Sequence, residues 1–149
     1  MLDLFIASND ILAQIIHFDE DVSHSHQAAG LEKTYPIVKT IVCYTGGKDP
    51  LILAILEATQ KVDFQKIKAL LGVSEVRLAT PEEVLNATGY EVGGVPPISI
   101  YGSPTLIDPG VLTHPWVACG GGDTHSLLKI QSADILKWAF EPRVEPIAK

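Results

Sequence analysis

The stretch "DFQKIKALLGVSEVRLATPEEVLNATGYEVGGVPPI", residues 63–98, holds two helices with both ends signed, and a loop unlike either. Asp63 is placed to cap a helix whose Phe64, Ile67, Leu70 and Leu71 form one apolar stripe and which Gly72 stops. Thr80, Pro81 and Glu83 spell a capping box for a second helix ending at Gly89. Between them "VSEVRLA" alternates like a strand. After them Gly93-Gly94-Val95-Pro96-Pro97 combines backbone freedom with backbone restraint inside five residues, and a strand-like apolar run, Ile98–Ile100, follows. Such a loop has one fixed shape and a backbone that can be approached closely.

Upstream, "PIVKTIVCY" and "LILAILE" flank "TGGKDP" and predict a β-hairpin. The apolar residues Leu2, Phe5, Ile6, Ile11, Leu12, Ile15 and Ile16 recur at three- and four-residue steps and predict helix. "DVSHSHQAAG" predicts a short helix between Ser23 and Gly30. Downstream, "PTLID" and "HPWVACG" read as strands around a "DPG" turn, "SLLKI" as a strand, and "SADILKWAF" as a helix capped by Ser132. The two-proline tail "EPRVEPIAK" is expected to be a docked or loose end. Helices and strands mix without steady β-α-β alternation, which predicts a mixed or largely antiparallel sheet with helices around it, in one domain spanning 1–149.

The chain has 149 residues, of which 46% are hydrophobic and 19% charged, as in core-forming proteins and unlike disordered ones. No apolar run approaches the roughly 20 residues of a membrane span. "MLDLFIASND" lacks a basic opening segment, and the expected location is cytoplasmic. The net charge of −7 argues against a surface that coats nucleic acid broadly, though not against a small basic pocket gripping one end. Cys43 and Cys119 match no metal spacing and read as buried small hydrophobes.

Lys39 shares a strand face with Ile37, Ile41 and Cys43. A lysine in that row either snorkels to water at a strand edge or serves as a cation in a cleft, anchoring a phosphate, carboxylate or carbonyl oxygen. The loop 93–97 is either a tight corner or a rigid cradle of amides for a carbonyl oxygen or oxyanion. "CGGGDTH", 119–125, marks a close backbone approach between two strands; without a following Lys-Ser/Thr and helix it is no phosphate loop. His24 and His26, with His125 and Asp123, are the candidate zinc donors. On a helix, however, alternate residues point about 200° apart, so His24 and His26 could not share an ion. No nucleophile elbow is present.

Taken in order, "VKTIV" (38–42), the 63–98 stretch, "PTLIDPGVL" (104–112) and "GGGDTHSLLKI" (120–130) resemble the YbaK-like family, the prolyl-tRNA synthetase editing (insertion) domain and its free-standing relatives. The resemblance runs from about Gln27 to Phe140. It implies a mixed α/β fold with a curved, barrel-like sheet surrounded by helices. It implies a trans-acting aminoacyl-tRNA deacylase that hydrolyses the ester of a mischarged small amino acid, alanine or cysteine, on tRNA(Pro). It also implies an attacking water, no metal or other cofactor, and as partners the 3′ acceptor end of aminoacyl-tRNA and prolyl-tRNA synthetase. Carried onto this chain, it makes Lys39 the catalytic residue. Thr40, the loop Gly93, Gly94, Val95, Pro96 and Pro97, and the turn Gly120, Gly121, Gly122 with His125 become the substrate-binding set. Pro96 departs from relatives that often carry a small polar residue there, and Asp123-Thr124-His125 departs from a basic, glycine-rich turn. The two alternatives are a non-catalytic module binding tRNA, a synthetase or a small ligand, and a histidine-dependent metal hydrolase.

Overall fold

The computed structural model describes residues 1–23 and 34–149. Both helices of the opening stretch form as their caps predict. In α2 (Phe64–Leu71) the Asp63 carboxylate accepts from the Gln65 and Lys66 N–H groups, and Gly72 closes the helix in the left-handed region at φ 65°. In α3 (Pro81–Thr88) the Thr80–Glu83 capping box is complete. Glu83 also takes two hydrogen bonds from the Arg77 guanidinium, at 2.8 and 3.2 Å. That guanidinium first, and the Thr80 N–H second, hold the Glu83 carboxyl down at about 2, against an ordinary 4.5. A carboxyl whose folded value is depressed contributes its stability fully above the ordinary value and loses it as the pH falls towards the folded value. Glu83→Gln is therefore expected to flatten the acid limb of a Tm-against-pH profile between pH 4.5 and about 2. An acid limb identical to wild type would show that the pair contributes nothing to stability.

Strands β2 (Val38–Tyr44) and β3 (Leu51–Glu57) form the expected antiparallel hairpin, in register from Val38↔Glu57 to Tyr44↔Leu51. They are the middle of a five-stranded sheet. β4 (Arg77–Leu78) pairs antiparallel with β2, while β5 (Thr105–Ile107) runs parallel to β3 and β8 (Pro142–Val144) parallel to β5. β1 (Ala13–His17), β7 (Ser126–Gln131) and β6 (Trp116–Gly120) make a separate antiparallel sheet, with β7 in the centre. Among the described residues a single parallel bridge, Ile37↔Ala118, joins the two sheets at one corner. The mixed α/β class holds, but the described strands form two sheets and not a closed barrel.

β3 is buried on both faces, which is why it reads as an unbroken apolar run. Leu53 and Ile55 face the small sheet and pack with Val117, Cys119, Leu128 and Ile130. Ile52, Ala54 and Leu56 face the other way, against Ile67 of α2. The large sheet is thus the middle layer. Cys43 and Cys119 are both buried free thiols, one in each cluster. No described helix is long and apolar enough to cross a membrane.

Several expectations need correction. The N-terminal helix α1 covers only Leu2–Ser8; Asp10 enters the left-handed region at φ 51°, and Ala13–His17 is strand. The open edge of β7 offers this segment a full ladder, from Ala13↔Ile130 to His17↔Ser126, and pairing outweighs the helical spacing. "VSEVRLA" keeps only two strand residues. Ile98–Ile100 is not a strand: Ser99 sits at φ 71°, and the two isoleucines reach the core from a bend. The "DPG" turn is a 3-10 helix, Pro109–Thr113, capped by Asp108. Ser132 begins α4 (Ser132–Trp138) without capping it; its N–H donates to the Pro115 carbonyl. The tail is docked: Ile147 is fully buried, and Asp108 accepts from the Ile147 and Ala148 N–H groups at 3.0 and 3.2 Å. The predicted helix between Ser23 and Gly30 lies outside the described residues, apart from Ser23 itself.

Candidate active site at an open strand edge

The phase of the β2–β3 ladder decides what β2 offers on its other side. The Ala58 N–H donates to the Ile37 carbonyl at 2.8 Å, so residues 37, 39 and 41 direct their backbone groups to β3. Residues 38, 40 and 42 direct theirs to the opposite edge. At one end of that edge the Ala118 N–H takes the Pro36 carbonyl, and at the other the Ala79 N–H takes the Val42 carbonyl. Between these points β2 has no strand partner among the described residues. The Val38 carbonyl, both backbone groups of Thr40 and the Val42 N–H therefore face a gap.

A cavity of about 360 Å³ fills the gap, within the range of small-molecule sites. All five residues Val38–Val42 line it. Since successive side chains point to opposite faces, a space that touches five in a row lies against the strand's edge. Its walls are largely apolar, with Val84 from α3 and Cys119 from β6. Two more open depressions, near the β2–β3 turn and beside α1, include neither Lys39 nor either glycine segment.

Lys39 enters from the face of Ile41 and Cys43, as alternation predicts. Its Nζ donates to the Ala58 carbonyl at a long 3.4 Å, at the cavity wall. Burial first, and the Lys61 charge second, push its ammonium below the usual lysine range. Thr40 is beside it, with its Oγ1 buried and without a hydrogen-bond partner among the described residues. Burial pushes the Cys119 thiol far above its usual range, so it lines the wall as a neutral group.

The two glycine segments lie on each other. A Cβ at Gly120 would overlap the Val95 carbonyl oxygen, and one at Gly94 would come within 2.8 Å of the Asp123 backbone. The Gly122 N–H donates to the Gly94 carbonyl at 2.9 Å. Much of the close approach inferred from these glycines is thus loop against turn. Gly93, Val95 and Gly120 reach the cavity with Lys39 and Thr40. Gly94, Pro96, Pro97 and Gly121 are buried behind it, and Gly122 is the turn residue held by Gly94. His125 is exposed, its N–H bonded to Asp123 Oδ1, and is not in the cavity wall. His24 and His26 lie outside the described residues, and no cluster of three metal-ligating side chains occurs among the described ones. Ala58, Val84 and Leu127 line the cavity without any signal in the sequence that singled them out.

The family model described as the aminoacyl-tRNA editing domain matches residues 20–138. The chain belongs to this family. Among curated relatives of the editing domain, the proline–tRNA ligase of Halalkalibacterium halodurans is 34% identical over 77 residues, 52% of this chain and 14% of that enzyme. The multifunctional Ser/Thr-tRNA deacylase ProXp-y of Escherichia coli K12 is 30% identical over 105 residues, 68% of this chain and 63% of that protein. This editing domain therefore spans a small part of the ligases and under two thirds of the deacylase. A crystal structure of a candidate trans-editing enzyme for prolyl tRNA synthetase superposes with TM-score 0.84 at 23% identity, over 99% of this chain and 95% of that one. That likeness shows the fold.

Proposed function

We propose that this editing domain acts in trans as an aminoacyl-tRNA deacylase, removing a mischarged small amino acid, alanine or cysteine, from tRNA(Pro). The observation that carries the reading is the cavity itself: an apolar space at a strand edge, with a partly desolvated lysine and a loop–turn pair at its wall. The ester bond is activated, so orientation and polarisation of its carbonyl supply much of the acceleration without a protein nucleophile. A water oxygen attacks the carbonyl carbon and the bond to the ribose oxygen breaks. The proton released by the water ends on that ribose oxygen. The Lys39 ammonium stabilises the charge that builds on the carbonyl oxygen, and no metal takes part.

Pocket volume excludes large amino acids but discriminates weakly among small ones, because one methylene is worth only about 1–3 kcal/mol. The E. coli relative's description as a Ser/Thr-tRNA deacylase brings serine and threonine into consideration. Selection of the tRNA then falls to contacts outside the cavity or to prolyl-tRNA synthetase as a partner.

The test is the rate of amino-acid release from tRNA(Pro) charged with alanine, cysteine, serine, threonine or proline, with and without a chelator. Release of one small residue, with proline retained and the chelator without effect, is the expected result. If every ester survives while the protein binds tRNA or the synthetase, it is a non-catalytic module and the proposal fails.

A further inference from the structure

Within the deacylase reading, we infer that the open edge of β2 holds the aminoacyl group as a single added strand residue, paired with Thr40. The α-ammonium donates to the Thr40 carbonyl and the ester carbonyl accepts from the Thr40 N–H. These two backbone groups face the cavity because the ladder phase turns them away from β3. They have no strand partner there among the described residues. One free aminoacyl ester presents a donor and an acceptor spaced as the N–H and C=O of one peptide residue. Two antiparallel residues in a hydrogen-bonded pair exchange both bonds.

Three consequences follow from that pairing. Charge developing on the ester oxygen meets a fixed backbone donor, the Thr40 N–H, in addition to the Lys39 ammonium. Residues directly opposite in a ladder project to the same face, so an L side chain points to the side of Val38 and Val42, which face the small sheet, while a D side chain points to the side of Lys39 and Ile41, towards the α2 cluster. An acylated amine loses its charge and carries bulk towards the strand, so N-acylated esters are excluded.

Three stable analogues of the charged adenosine test this: 3′-amino-3′-deoxyadenosine bearing an L-alanyl, a D-alanyl or a propionyl amide, the last lacking the amine. Binding to the full chain is followed by ¹⁵N–¹H NMR. The L-alanyl analogue is expected to shift the Thr40 amide proton downfield and slow its exchange. The propionyl analogue is expected to bind about tenfold or more weakly, since a hydrogen bond to a charged group is lost, and the D-alanyl analogue more weakly than the L form. If the L-alanyl and propionyl analogues bind equally, or Gly93 and Val95 shift while Thr40 does not, the strand-edge pairing is wrong and the deacylase site stands. If the L-alanyl analogue moves no cavity residue at all, both readings fall.

Discussion

Replacing Lys39 by alanine is expected to lower deacylation by roughly a hundredfold or more, the usual effect of losing one oxyanion-stabilising donor. It is also expected to leave the Tm at or above that of wild type. The two halves of this result have one cause. Burial and Lys61 depress the Lys39 ammonium below its ordinary range, so the folded protein holds this charge less willingly than the unfolded chain does. Stability therefore rises as pH climbs through the depressed value towards the ordinary one, and at neutral pH the protonated lysine costs stability. Its only hydrogen bond, among the described residues, is the 3.4 Å contact to the Ala58 carbonyl, so truncation forfeits little. A cation held partly out of water at a cavity wall is a candidate ligand-binding group. Deacylation by Lys39→Ala at the wild-type rate would remove the lysine from the mechanism. A large fall in Tm would make it a structural residue instead.

The second large effect is expected at Gly120. An alanine there would place its Cβ on the Val95 carbonyl oxygen, and that oxygen belongs to a backbone held from behind by the Gly122-to-Gly94 hydrogen bond. Nothing flexible can yield, so Gly120→Ala is expected to cost about 3 kcal/mol, at the upper end for an overpacked core. Activity should fall further than stability, because relief comes by pushing residues 93–95 into the cavity. Gly72→Ala is the comparison: it keeps a left-handed φ of 65° but has open space around the new methyl, so its cost is about 1 kcal/mol with activity retained. Thermal melts and initial rates on the pair separate crowding from backbone conformation. Equal, small losses for both would mean that the loop and turn do not support each other.

The elements legible in the sequence were those whose causes are local. Asp63 and Gly72 bound α2, and the Thr80–Glu83 box starts α3, because cap chemistry is satisfied within four residues. The β2–β3 hairpin follows from two β-branched runs around a Gly-Gly/Asp-Pro turn, and the position of Lys39 on the Ile41–Cys43 face follows from the period of two. The family resemblance, resting on the order of these same segments, was likewise in the residues.

What the chain alone left undecided depends on partners distant in sequence. Ala13–His17 became a strand because β7, more than a hundred residues later, offered it an edge. The glycines at 94 and 120 were visible as a demand for space. Only the fold showed that much of this space is taken by the opposing backbone, with the cavity beside it. The open edge of β2 had no signature at all: among the described residues, β4 stops after two residues and the small sheet pairs with β2 at a single bridge. Caps and alternation are written within a few residues, whereas a vacant stretch of strand edge is set by where other segments end.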